Sequence, residues 1–206
     1  MMREGLLLVI SGPSGTGKGT VCKELLKIEK DIKLSVSATT REPRNGEIDG
    51  INYHFLKKDA FERQIKQDEF LEYARVYDNY YGTPKKYVID EIKEGNNVLL
   101  EIDIQGALQV KEKYPKGIFI FILPPSMEEL KKRIVGRGTE SEESIQKRFG
   151  SALDEINYVK EYDYFVVNDE VEEAVKKIRA IIKAENCKVS ENIEEMISKF
   201  KEEISC

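Results

Sequence analysis

The sequence predicts an α/β fold, a mostly parallel sheet with helices on both faces. Three observations point to it. Short apolar runs without polar alternation, such as Leu6–Ile10 and Ile118–Leu123, read as buried strands. Stretches of helical periodicity separate these strands. A glycine-rich loop joins the first strand to the first helix.

In order along the chain, Leu6–Ile10 is the first strand and a helix follows over about 19–30. Leu34–Ser37 is expected to be a second strand. Residues 41–53 carry Pro43, Asn45-Gly46 and Asp49-Gly50, which mark turns. Tyr53–Phe55 returns as a strand, and Asp59 is expected to cap a helix over about 60–68. Tyr80–Pro84 reads as a loop and 85–94 as a helix. Asn97–Asp103 is a strong buried strand, followed by a helix over Gly106–Lys113. Gly117–Leu123 is a strand stopped by Pro124-Pro125. Ser126 and Glu129 form a capping box for a helix to about Val135. Gly136–Thr139 is a loop, 142–160 a long helix, Tyr164–Val167 the last strand and 170–184 a helix. Ile193, Met196, Ile197, Phe200 and Ile204 then form a helical apolar stripe. Packing on the core is its expected role; burial against a second copy in a homo-oligomer is the alternative. The stretch 35–84 breaks the strand–helix rhythm and reads as a mixed insert.

The chain has 206 residues, enough for one compact domain with inserted parts. Its hydrophobic share of 40% and charged share of 34% suit a soluble chain with a real core. A net charge of −5 argues against a general nucleic-acid or membrane-surface binder. Cys22, Cys187 and Cys206 show no metal spacing, so a reduced, cytoplasmic chain is expected. No run reaches the length of a membrane span. The apolar stretch after Met1-Met2-Arg3-Glu4 is too short for a secretory leader.

Gly12-Pro13-Ser14-Gly15-Thr16-Gly17-Lys18-Gly19-Thr20 fits the phosphate-loop pattern G-x-x-x-x-G-K between a strand and a helix. The core is therefore of the P-loop NTPase type. Such a loop turns backbone N–H groups toward phosphate oxygens, and the helix that follows adds its positive end. Lys18 would neutralise the β- and γ-phosphates. The residue after the lysine is Gly19 rather than Ser or Thr, and Thr20 comes one place later. A magnesium ion would then be held mainly by nucleotide oxygens and water, with Thr20 and Asp103 reaching it through water.

Only nine of the 33 basic residues are arginine, and five of them cluster. Arg41 and Arg44 share a turn-rich loop; Arg133, Arg137 and Arg148 share a helix–loop–helix. Arginine grips phosphate bidentately, so two clusters beside a phosphate loop suggest two phosphate-bearing molecules. Asp103 is expected at the carboxyl edge of the sheet, with Glu101 on the same strand face. Two roles stay open for Asp103: a magnesium partner or an acceptor for a substrate base.

Seven segments together resemble the guanylate kinases. They are Gly12–Thr20, Ser37–Arg44, Gly50–Phe55, Phe70–Ala74, Asn79–Thr83, Glu101–Gly106 and Arg137–Ser144, within a match from about Leu6 to about Ala184. The resemblance implies ATP-dependent phosphorylation of GMP, with dGMP expected as a second acceptor. It implies a core of residues 1–34, 87–125 and 156–189, a GMP-binding insert at 35–86 and a helical lid at 126–155, with 190–206 as an extension. It implies that Arg41, Arg44, Tyr53 and Tyr81 hold the GMP phosphate. Ser37, Glu72, Thr83 and Asp103, with Glu101 beside them, would read guanine. Lys18, Arg133, Arg137 and Arg148 would bind ATP and the phosphoryl group in flight, joined by Arg41, and Asn168 would contact adenine. Magnesium would come with ATP.

The chemistry of guanine agrees with that assignment. Its N1–H and N2 amino group lie side by side, and one carboxylate accepts from both. Adenine offers a bare N1 acceptor there, which a carboxylate repels. No general base is needed, because the acceptor oxygen belongs to an anionic phosphate. His54, the only histidine, is accordingly expected to be a strand residue. Two rival functions are a non-catalytic interaction module of the same fold and a kinase of another phosphorylated acceptor.

Overall fold

The computed structural model describes residues 4–76, 78–135, 142–189 and 193–204. The expected loop at 136–139, with Arg137, lies outside the described residues. The chain runs through β1 (Leu7–Ser11), α1 (Lys18–Ile28), β2 (Ile32–Leu34), β3 (Ala38–Thr39) and β4 (His54–Phe55). Next come α2 (Lys58–Lys66), β5 (Phe70–Val76), β6 (Asn79–Pro84), α3 (Lys85–Lys93), β7 (Asn97–Glu101) and α4 (Ile104–Lys113). It continues with β8 (Ile118–Leu123), α5 (Met127–Val135), α6 (Glu142–Ile156), a 3₁₀ turn (Asn157–Glu161), β9 (Tyr164–Val167), α7 (Val171–Glu185) and α8 (Ile193–Ile204).

Five strands form one sheet in the order β2-β7-β1-β8-β9, and every pairing is parallel. The apolar strands are buried on both faces because alternate side chains feed two separate cores. Leu8 and Ile10 of β1 face α1 and α7, where they meet Val21, Leu25, Val175 and Ile178. Leu7 and Val9 face the other way, into a core with Val88 and Ile92 of α3 and Ala107 and Val110 of α4. The expected parallel α/β core is therefore what the chain builds, and β1 sits at its centre.

A second sheet, in the order β4-β3-β6-β5, is assembled wholly from strands between Ala38 and Pro84. Its β3–β4 pairing is parallel, and its β3–β6 and β5–β6 pairings are antiparallel. Phe61 of α2 stacks on Phe70 with ring centroids 4.3 Å apart and on Tyr80 at 5.4 Å. Leu71 of β5 points into the first sheet's core, and the Gln109 side chain of α4 hydrogen-bonds both N–H and C=O of Tyr73. The second sheet is thereby docked on α4.

Several local expectations are corrected. The strand expected at Leu34–Ser37 splits: β2 ends at Leu34, Ser35 N–H reaches Leu99 O, and β3 begins three residues later in the other sheet. Tyr80–Pro84 is not a loop but most of β6, because β5 and β3 supply its hydrogen-bonding partners. Lys57, not Asp59, is the N-cap of α2, and Asp59 instead pairs with Arg63 one turn on at 3.1 Å. The strand expected to reach Asp103 stops at Glu101, and the next helix starts at Ile104 rather than Gly106. The long helix expected to 160 tightens into the 3₁₀ turn after Ile156.

Ser126 does cap α5, accepting from Glu129 N–H at 3.1 Å, while the Glu129 carboxylate goes to Arg133 instead of back to the cap. His54 is an exposed strand residue whose N–H donates to Ser37 O. In α8, Ile193 and Ile197 are half-buried, whereas Phe200 and Ile204 are exposed. Among the described residues no helix is long and apolar enough to cross a membrane.

Phe61 is fully buried between two aromatic rings, so Phe61→Ala leaves a cavity under the second sheet. The expected loss is roughly 3–5 kcal/mol of folding stability. Chemical denaturation checks it, and a loss below about 1 kcal/mol would mean that this sheet does not depend on the aromatic stack.

Candidate active site

The phosphate-loop segment leaves β1 at Ser11 and is pressed against β8 at once. Gly12 has φ +141°, and a Cβ there would stand 2.4 Å from Ile122 O, so no side chain fits. Gly17, at φ +86°, caps α1 in the left-handed region, and a Cβ there would meet Asn168 Nδ2 at 2.5 Å. Two further bonds brace the turn. Thr16 Oγ1 donates to Pro13 O at 2.9 Å, and Asn168 Nδ2 donates to Thr16 O at 2.8 Å. Asn168 is only 2% exposed, so its amide N–H is committed to the loop.

Lys18 opens α1 and folds back over the loop. Its Nζ donates to Gly12 O at 2.6 Å and Pro13 O at 3.1 Å. Burial pushes the ammonium below its ordinary pKa, and the carboxylates of Glu101 and Glu155 oppose that shift. The first turn of α1 carries no acidic residue, which leaves its positive end to an anion. Thr20 is exposed and stands outside the cleft lining.

A cleft of about 820 Å³ opens over the loop, lined by Gly12, Ser14, Lys18, Arg75, Glu101, Asp103, Gln105, Ser151, Glu155 and Tyr158 among others. Parallel pairing of β7 with β1 sets Glu101 opposite Ile10, at the sheet's carboxyl edge. Glu101 is exposed at the cleft; its partial desolvation there raises its carboxyl pKa, while Lys18 draws it down. A Cβ at position 19 would stand 3.1 Å from Glu101 Oε1. The glycine that replaces the usual Ser or Thr thus leaves space that the Glu101 carboxylate fills. Asp103 lies beyond the strand as the N-cap of α4, accepting from Gly106 N–H at 2.8 Å. It still lines the cleft.

The second sheet brings a different set together. Glu72 of β5 is 5% exposed, and Thr83 Oγ1 of β6 donates to its Oε1 at 2.6 Å. Burial, with Asp103 adding repulsion, raises the Glu72 carboxyl to about 7 against the opposing hydrogen bond from Thr83. A Cβ at Gly106 would lie 2.8 Å from Glu72 Oε2, so this carboxylate abuts the start of α4. Asp103 therefore joins the two halves: it lines the cleft with Lys18, and its charge reaches Glu72.

Arg41 Nη2 pairs with Glu47 Oε1 at 2.9 Å, and its guanidinium lies 5.5 Å from the Tyr53 ring centroid. Tyr53 meets Tyr81 edge-on with centroids 5.9 Å apart. Arg44 has an exposed side chain, and its N–H donates to Glu47 Oε2 at 2.7 Å. Ser37 is half-buried beside β3. Arg41, Tyr53 and Tyr81 thus form one cluster, and Tyr81 shares β6 with Thr83, the partner of Glu72.

Of the arginines beyond β8, Arg133 pairs with Glu129 at 3.0 Å and donates to Asn168 O at 3.0 Å. It ties α5 to the end of β9 rather than lining the cleft. Arg148 is placed in α6 by its backbone alone. Sequence reasoning passed over Glu47, Arg75, Gln105, Ser151, Glu155 and Tyr158. A signal for three of them existed: Ser151, Glu155 and Tyr158 are spaced for one helical face. Nothing in the sequence marked Glu47 as the partner of Arg41.

A model of the guanylate kinase family matches residues 4–185. The guanylate kinase of Caldanaerobacter subterraneus subsp. tengcongensis is 63% identical over 98% of this chain and 97% of its own. That of Clostridioides difficile is 59% identical over 98% of this chain and 99% of its own. The crystal structure of guanylate kinase from Anaplasma phagocytophilum superposes with a TM-score of 0.79 at 35% identity, covering 97% of this chain and 96% of that one. With a braced phosphate loop, a cleft at the sheet's carboxyl edge and matches over nearly its whole length, the chain belongs to the guanylate kinase family.

Proposed function

We propose that this chain transfers the terminal phosphoryl group of ATP to GMP, with dGMP as a second acceptor, in the cytoplasm. The observation that carries the reading is the juxtaposition across Asp103: a phosphate loop on one side, a buried carboxylate with a hydroxyl partner on the other. Residues 12–20 would hold the donor's phosphates through loop N–H groups and Lys18. Arg133, Arg137, Arg148 and the segment around Asn168 would complete the ATP site, with Asn168 also fixing the loop's shape. The division into core, insert at 35–86, lid at 126–155 and extension from 190 is part of the same proposal.

Glu72 would accept from guanine N1–H and N2–H while Thr83 holds the carboxylate in place, with Ser37 and Asp103 at the rim. Arg41, Arg44, Tyr53 and Tyr81 would hold the acceptor phosphate. Arg41 would release Glu47 to do so, exchanging one anionic partner for another. The acceptor phosphate is its own nucleophile, so the protein positions and neutralises rather than abstracting a proton. Water excluded from the cleft cannot then compete as acceptor.

Kinases that use ATP take a divalent metal with it, and Mg²⁺ is the ion proposed here. The residues fit such an ion held through water. Glu101 and Asp103 present hard oxygens at the cleft, and among the described residues no trio of His, Cys, Asp or Glu gathers to hold an ion directly. Glu101, beside Gly19 and Lys18, is better placed for this role than Thr20. When bound, the ion would neutralise charge on the donor's phosphates.

Four outcomes test this. Lys18→Ala should lower kcat by about a thousandfold or more and leave GMP affinity within about twofold. Steady-state kinetics with calorimetry checks it, and retained kcat would remove the phosphate-loop assignment. GMP affinity should rise with pH and level off above about 7, because only ionised Glu72 accepts from both guanine donors. In Glu72→Gln the Glu72 component should vanish, leaving only the GMP phosphate's own titration, and GMP should bind roughly 10- to 100-fold more weakly. A variant with unchanged GMP affinity would take Glu72 out of base reading. Gly19→Ser should crowd the Glu101 carboxylate and weaken magnesium dependence of turnover by at least about threefold; unchanged dependence would detach Glu101 from the metal.

A further inference from the structure

Glu155 lies near the end of α6 and faces the cleft beside Ser151 and Tyr158. Its Oε2 accepts from Ser14 N–H at 3.4 Å, a contact between residues 141 apart in sequence. It also stands close enough to Lys18 to oppose, with Glu101, the effect of burial on that ammonium. The carboxylate therefore sits against two groups that the phosphate loop directs at phosphate oxygens: a backbone N–H at its crest and its lysine. The chemistry described so far gives Glu155 no task.

We propose that Glu155 is a positioning residue of the donor site, whose carboxylate competes with the donor's phosphate oxygens for Ser14 N–H and yields when a polyphosphate binds. It rests on residues 12–20 holding the donor's phosphates. One N–H makes one good hydrogen bond at a time, and carboxylate and phosphate oxygens are both charged acceptors of it. A phosphate oxygen bonded to Ser14 N–H would meet the repulsion of the Glu155 carboxylate, whose Oε2 stands 3.4 Å from the same nitrogen. Donor binding therefore displaces Glu155, and the displacement is felt by α6, the helix that carries it. The loop's apparent affinity is lowered by the fraction of molecules in which Glu155 holds the contact. Donor binding and the setting of α6 become one equilibrium.

Inorganic pyrophosphate is the probe, titrated calorimetrically into the full chain and into Glu155→Gln, with GMP as the reference ligand. Gln keeps the side chain's size and removes its charge. Pyrophosphate should bind the variant about three- to tenfold more tightly, with GMP affinity unchanged. Loss of charge beside Lys18 favours an anion through the field as well, so the position of the carboxylate in the pyrophosphate complex decides whether it leaves Ser14. Equal or weaker pyrophosphate binding by the variant overturns the proposal. Pyrophosphate bound by neither chain overturns the phosphate-loop reading, and this one with it. A crystal structure of the unaltered chain with pyrophosphate gives a second check that needs no variant. The Glu155 carboxylate should lie more than about 4 Å from Ser14 N, beyond hydrogen-bond reach; a carboxylate still bonded there overturns the proposal.

Discussion

Backbone from β1 and backbone from β8 come closer at Gly12 than any side chain permits, and the phosphate loop takes its path from that approach. The parallel pairing of the two strands delivers Gly12 to this point, and the same sheet sets Glu101 one strand away. From there the loop turns under Lys18, and Asn168, leaving the neighbouring strand β9, fastens its far side. Donor-side geometry is therefore backbone geometry. Sheet register sets its path, and the side chains of Thr16 and Asn168 brace it.

Charge is handled by pairing each cation with a local carboxylate. Lys18 feels Glu101 and Glu155, Arg41 and the Arg44 backbone share Glu47, and Arg133 holds Glu129. A chain of net charge −5 can in this way keep concentrated positive sites without leaving any of these three side chains unopposed. Glu72 follows the opposite rule. Burial, with Asp103 nearby, raises its carboxyl to about 7 against the Thr83 hydrogen bond and the more distant Lys113. A group in that condition gains most from a ligand that brings two N–H donors.

Much of this was legible in the sequence, for reasons that differ by element. The strand at Leu7–Ser11 and the loop after it were readable because apolar run, glycines and lysine are contiguous. Arg41 was readable with Arg44 as an arginine cluster, whereas Glu72, Thr83 and Tyr81 were readable only through resemblance, since strand pairing brings them together. β6 was misread because Gly82 and Pro84 signal a turn locally. The chain overrides that signal: Gly82 is needed bare under the Phe61 ring, and Pro84 falls at the strand's end. Asp103 was assigned to a strand because its apolar run continues to Ile102, whereas capping of α4 decides its conformation. Glu47 carries no local signal, and the helical spacing of Glu155 with Ser151 and Tyr158 marks a face without naming its partner, which tertiary geometry supplies.

The hydrogen bond from Asn168 to Thr16 joins residues 152 positions apart. During synthesis the glycine-rich turn is made first, and the side chain that fastens it follows only once β9 has been made. A nascent chain shorter than that carries the motif without its clasp. The bracing of the loop thus waits on the strand that completes the sheet, and the local sequence alone does not supply it.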